Sequence, residues 1–84
     1  MNKRKEFLAA IQKAIDNGND FAVAISNPNH PEPEVIINPH ANLEYKKKYY
    51  SEAYDIELHH KHDSKVTIAE YTETEGWDIY EPQV

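Results

Sequence analysis

Asn38-Pro39-His40-Ala41-Asn42-Leu43-Glu44-Tyr45-Lys46-Lys47-Lys48-Tyr49-Tyr50-Ser51-Glu52-Ala53-Tyr54 reads as a helix, with strands expected on either side of it. Asn38 can accept a bond from the first free backbone N–H groups, and Pro39 at the first helical position gives up a donor that has no partner there. Leu43, Lys47, Tyr50 and Tyr54 recur at helical spacing, and Tyr49 and Ala53 widen that stripe. Glu44 and Lys48 stand four apart in the favourable order, worth about 0.2–0.5 kcal/mol if they pair. A stop is expected near Asp55. Residues 55–58 contain no breaker, and Leu58 and Lys61 continue the stripe, so an extended helix stays open as an alternative to a strand over 55–62.

Upstream, Phe7, Leu8, Ile11, Ala14 and Ile15 form one apolar stripe and predict a helix over residues 3–17. Asn17-Gly18 closes it, since Gly takes the left-handed conformation that ends many helices. Residues 20–26 alternate as a strand, with Phe21, Val23 and Ile25 on one face and Ala22, Ala24 and Ser26 on the other. The small face is the one expected to receive a helix. Pro28, Pro31 and Pro33 mark a loop, and Val35-Ile36-Ile37 is a short second strand returning as a hairpin.

Downstream, Ile56, Leu58, His60 and His62 alternate as a third strand. Asp63-Ser64 turns, residues 65–72 form a fourth strand rich in β-branched residues, and residues 72–76 read as loop. The expectation is an α+β fold in the order αββαββ. An antiparallel sheet of three or four strands would carry both helices on one face. Leu8, Ile11, Ile15, Val23, Ile25, Val35, Ile37, Leu43, Tyr50, Tyr54, Ile56, Val66 and Ile68 are the expected core. The chain reads as one small domain, residues 1–84, with a flexible acidic segment expected over 73–84.

The 84 residues carry a formal charge of −6 and no cysteine. Disulfides, thiol chemistry and cysteine-based zinc sites are thereby excluded. No apolar run reaches the length of a membrane span, so no membrane contact and a cytoplasmic location are expected. The acidity gathers from Asp55 onward, which argues against nucleic-acid binding, since that needs a basic footprint. Carboxylates at Glu70, Glu73, Glu75, Asp78 and Glu81 raise the alternative of an acidic nucleic-acid mimic, beside the plainer reading of a solubilising surface.

The two glycines, Gly18 and Gly76, build no phosphate-cradling loop, and Ser26, Ser51 and Ser64 sit in no nucleophile turn. No enzymatic activity and no cofactor are expected. His60 and His62 would share a strand face at a spacing able to chelate a divalent metal, with the exposed tip of a hairpin as the simpler reading. Tyr45 and Tyr49 lie at or off the edge of the helical stripe. With Trp77 and Tyr80 near the end of the chain, they are the candidate partner-binding residues, since tyrosine and tryptophan bring area and a polar handle at low entropy cost; the plainer reading of the helix tyrosines is a buried face wider than usual. The same aromatics would serve a homodimer.

The run Glu34-Val35-Ile36-Ile37-Asn38-Pro39-His40-Ala41-Asn42-Leu43, with Lys46, Tyr49-Tyr50 and Tyr54-Asp55, resembles small uncharacterised proteins of phages and prophages in Gram-positive bacteria. The resemblance implies an accessory protein of the cytoplasm that acts by binding another protein, possessing no assigned chemistry.

Overall fold

The structure, a computed structural model, describes residues 2–74. Helix α1 (Lys3–Asn17) begins on Asn2, whose side chain accepts from the Lys5 N–H at 2.9 Å. It ends on Gly18, at φ 73, whose N–H donates to the carbonyls of Ala14 and Ile15. Strand β1 (Asp20–Ser26) follows, then β2 (Glu34–Asn38), a 3-10 turn (His40–Asn42), helix α2 (Leu43–Ala53), the two-residue β3 (His59–His60) and β4 (Asp63–Thr74). The strands form one antiparallel sheet in the order β2-β1-β4-β3.

Both helices pack on the face carrying Phe21, Val23 and Tyr71. Phe7 of α1 is fully buried. Its ring meets Phe21 at 5.9 Å, Tyr50 of α2 at 5.2 Å and Tyr71 of β4 at 4.9 Å, each edge-on. Ile11, Ala14, Val23, Leu43, Tyr54, Leu58 and Ile68 complete the core. The small-residue face, with Ala22 and Ala24, points away from both helices, contrary to the sequence expectation. Large side chains fill the gap between sheet and helices, and a small face would leave it void. Val35 and Ile37 alternate onto that second face, so Val35 is 59% exposed and Ile37 only half-buried.

The helix does not begin at Asn38. That residue ends β2, is 1% exposed, and its Nδ2 donates to the Phe21 carbonyl at 3.2 Å and to Tyr50 Oη at 3.4 Å. A side chain turned into the core cannot cap. Pro39 is extended, at φ −62 and ψ 148, and α2 starts at Leu43 after the 3-10 turn. The expected Glu44–Lys48 pair does not form; Lys3–Glu57, at 3.8 Å, is the only ion pair among the described residues.

Residues 56–62 are not a continuous strand, nor does α2 extend through them. Asp55 Oδ1 accepts from the Glu57 and His59 N–H groups and folds the chain into a turn. Leu58 adopts φ 65 within it. The left-handed backbone costs about 1–2 kcal/mol, and burial of the Leu58 side chain, 5% exposed, offsets it. Leu58 thereby takes the core place expected of Ile56, which is 48% exposed. At the other end β4 runs to Thr74, two residues past the expected strand, and so takes in the first residues of the segment expected to be flexible. Glu73 anchors its end: its carboxylate accepts from the side chains of Asn17, at 2.9 Å, and Asn19.

Two measurements follow. Phe7→Ala should cost about 3–5 kcal/mol, which for a chain this small is comparable to its whole stability of about 5 kcal/mol. Urea denaturation should find the variant largely unfolded, and a loss below about 1 kcal/mol would refute the central role of this ring. The Asn17 and Asn19 hydrogen bonds hold the Glu73 carboxyl below its ordinary value of 4.5. A depressed folded value contributes stability that is present above the unfolded value and lost as pH falls through the folded one. Denaturation midpoints at neutral pH and at about pH 3 should therefore show a smaller acid loss for Glu73→Gln than for the wild type.

Candidate interaction surface

Helix α2 owes its orientation to one stripe. Leu43 is fully buried, Tyr50 and Tyr54 nearly so. Lys47 lies along the stripe and donates from Nζ to Gln12 Oε1 of α1 at 2.8 Å. The C-terminal end is fixed from α1, where Arg4 Nη1 donates to the Tyr54 carbonyl at 3.1 Å and to the Ser51 carbonyl at 3.4 Å. With the stripe so held, Tyr45 and Tyr49, four apart, face outward.

Tyr45 is 70% exposed and Tyr49 42% exposed. Tyr49 leans edge-on against Tyr50 at 5.3 Å, and Lys46 Nζ stands 5.6 Å from the centre of its ring. This cation–π contact, together with the neighbouring ring, limits the rotamers of Tyr49 before any partner arrives. Trp77 and Tyr80, the other expected contact residues, lie outside the described residues.

Burial sets the chemistry of the inner tyrosines. Desolvation raises the Tyr50 phenol, and the Asn38 hydrogen bond offsets part of the rise. Tyr54 is pushed up to about 12 by burial and then by the neighbouring Tyr49 and Tyr50.

The histidines come together by a different route from the one expected. His60 is in β3, but His62 follows in the turn, so strand alternation does not pair them. The turn sets their rings 5.8 Å apart. His60 Nδ1 accepts from the His62 N–H at 3.1 Å, and the His60 ring packs edge-on against Tyr54 at 5.2 Å. His59 Nδ1 donates to the Ser64 carbonyl at 2.7 Å, and His40 Nε2 donates to the Ile15 carbonyl at 3.0 Å. Among the described residues no three potential ligands gather into a metal site.

The acidic residues divide as strand alternation requires. Glu70 lies opposite Ala24 on the helix-free face, and Glu73 opposite Phe21 on the helix face. Glu75, Asp78 and Glu81 lie outside the described residues.

Two depressions mark the sheet. One of about 580 Å³ lies between the start of α1 and the β3–β4 edge, lined in part by Lys3, Glu6, Glu57 and Thr67. The Lys3–Glu57 pair sits in its lining. The other, about 370 Å³, lies on the helix-free face against Ala22, Ala24, Val35, Glu70 and Thr72. The alternation of large and small residues in β1 contained the signal for this second surface, but assigning the helices to the small side concealed it. Among the described residues no helix is long and apolar enough to cross a membrane. Comparison with protein-family models, with curated proteins and with solved structures gives no match.

The raised Tyr54 value makes a prediction for alkaline solution. A phenol whose folded value lies above its unfolded value of 10.0 contributes stability that is complete below the unfolded value and is lost as pH rises toward about 12. Phenolate absorbance followed through an alkaline titration should show Tyr54 ionising together with loss of the fold, and Tyr54→Phe should delay that loss to higher pH. An unchanged alkaline midpoint in Tyr54→Phe would contradict this account.

Proposed function

We propose that the protein is a non-enzymatic protein-interaction module, an accessory protein of the phage or prophage kind, which binds another protein through the outer edge of α2. The observation that carries this reading is the exposure of Tyr45 and Tyr49 on a helix fixed at both ends. The buried stripe and the Arg4 bonds hold α2 in place, so the two rings are presented with little ordering left to do on binding. Large amphipathic rings on a rigid support suit a contact made mainly by area and shape. Trp77 and Tyr80 would extend the same aromatic recognition. The division of Glu70 and Glu73 between sheet faces supports this reading over nucleic-acid mimicry, which needs carboxylates gathered on one side.

Affinity capture from bacterial lysate at low and high salt provides the test. Tyr45→Ser combined with Tyr49→Ser should leave the melting temperature within a few degrees, because both rings are outside the core. The double variant should lose the captured partner, whereas Glu70→Lys with Glu75→Lys should keep it. Capture abolished by the charge reversal and by salt, yet indifferent to the tyrosines, would establish the acidic surface instead. Calorimetry with zinc and nickel addresses His60 and His62 separately: binding tighter than about millimolar, on the order of −4 kcal/mol, would favour the metal-binding alternative.

A further inference from the structure

We propose that the free edge of β2 is a strand-addition interface for a second copy of this chain, paired antiparallel about a two-fold axis at Ile36. The inference goes beyond the reading of α2 and uses a different surface. The two edges of the sheet are built differently. At one edge β3 is two residues long, and its register with β4 breaks between His59 and His60. Lys61 directly follows β3, and Lys65 lies in β4 between the two residues that pair with it. A short, irregular, lysine-bearing edge resists addition of another strand.

The β2 edge has none of these features. Its five residues pair with β1 in unbroken register. It contains no lysine or arginine, and its centre is the β-branched run Val35-Ile36-Ile37. Among the described residues β1 is the only element against which β2 packs extensively. Backbone groups on the far side of β2 are therefore placed to pair with another strand.

The sequence of β2 selects the partner and the register. A two-fold axis at Ile36 sets Ile36 against the partner's Ile36, Val35 against the partner's Ile37, and Glu34 against the partner's Asn38. All five residues pair, and no like charges stand opposite one another, which would be destabilising. An axis at Glu34 would oppose two carboxylates, and one at Asn38 would oppose Pro39 to Ile37. Pro33 and Pro39 bracket the strand. Each lacks the N–H that a longer ladder needs, so pairing stops at five residues. An isologous contact of this kind closes on itself as a dimer. On the helix-free face, Val35 and Ile37 of the two copies would meet and join the apolar strips that include Ala22 and Ala24. The short strand makes this a small and therefore weak interface.

The absence of cysteine permits a direct test. Residues directly opposite in an antiparallel pair have Cα atoms about 4.5–5.5 Å apart, within the span of a disulfide. Ile36→Cys should form a covalent dimer under mild oxidation, and Lys65→Cys, in β4 beside the short β3 pairing, should not. Circular dichroism checks that Ile36→Cys retains the fold, since Ile36 is half-buried. Val35 is exposed, so Val35→Lys should keep the fold and weaken wild-type self-association in sedimentation by about tenfold. A wild-type chain that stays monomeric at about millimolar concentration, with Ile36→Cys cross-linking no faster than Lys65→Cys, would overturn the proposal. A dimer unaffected by Val35→Lys would overturn it too. Loss of that dimer in Tyr45→Ser with Tyr49→Ser would then assign it to α2, and loss on ending the chain after Thr74 would assign it to residues 75–84.

Discussion

The ring of Phe7 is the point at which four elements meet. It touches Phe21 of β1, Tyr50 of α2 and Tyr71 of β4, all edge-on. Edge-on aromatic pairs add about 0.5–1.5 kcal/mol each beyond area burial. In a chain of this size such contacts are a large share of the net stability, because only about 60–65% of the unfolded surface can be buried. The ring also fixes geometry. It holds α1 over the boundary between β1 and β4 while setting α2 beside α1, so the outward direction of Tyr45 and Tyr49 follows from a contact on the opposite side of α2.

Polar groups then secure the ends that the aromatic centre does not reach. Asn38 joins β1, β2 and α2 from within the core. Asp20 accepts from the His40 N–H at 2.8 Å and holds the passage from β2 to α2. Asp55 builds the turn after α2, and Glu73 ties the end of β4 to the end of α1. Three carboxylates of an acidic chain are thus occupied in hydrogen bonds to the protein itself. These bonds hold the Asp55 and Glu73 carboxylates ionised below their ordinary range and commit them to positions inside the fold.

Much of this fold was legible in the sequence where local signals and tertiary demands agree. The stripe from Phe7 to Ile15, closed by Asn17-Gly18, gives α1 with its observed bounds, and the alternation from Asp20 to Ser26 gives β1. Reading failed where a polar side chain took up a hydrogen bond that hydrophobic periodicity does not register. Asn38-Pro39 resembles a helix start, yet Asn38 is drawn inward by Phe21 and Tyr50, which are distant in sequence. Ile56 to His62 alternates as a strand should, yet the Asp55 side chain captures two backbone N–H groups and bends it. Tyr45 stood off the stripe in the sequence, whereas Tyr49 widened it there and only the structure shows it 42% exposed. The β2 edge was not legible, because strand order decides which strand is left without a neighbour, and period-two patterning carries no information about order.

The sheet face away from the helices shows how size shapes the surface available for binding. Two helices of fifteen and eleven residues can cover one face of a four-stranded sheet, and these do so on its aromatic side. The other side has to tolerate water, and its composition meets that condition. Ala22 and Ala24 expose little apolar area, Thr72 and Glu70 are polar, and the larger apolar burden falls on Val35 and Ile37 near one edge. Had those two residues been placed on β1, they would sit between neighbouring strands and be flanked on both sides, as Ala22 is by Ile37 and Thr72. On β2 they have a neighbouring strand on one side only among the described residues. The exposed apolar surface is thereby concentrated beside backbone groups that pair with no strand among the described residues, where one added strand would cover the side chains and satisfy the backbone in the same step.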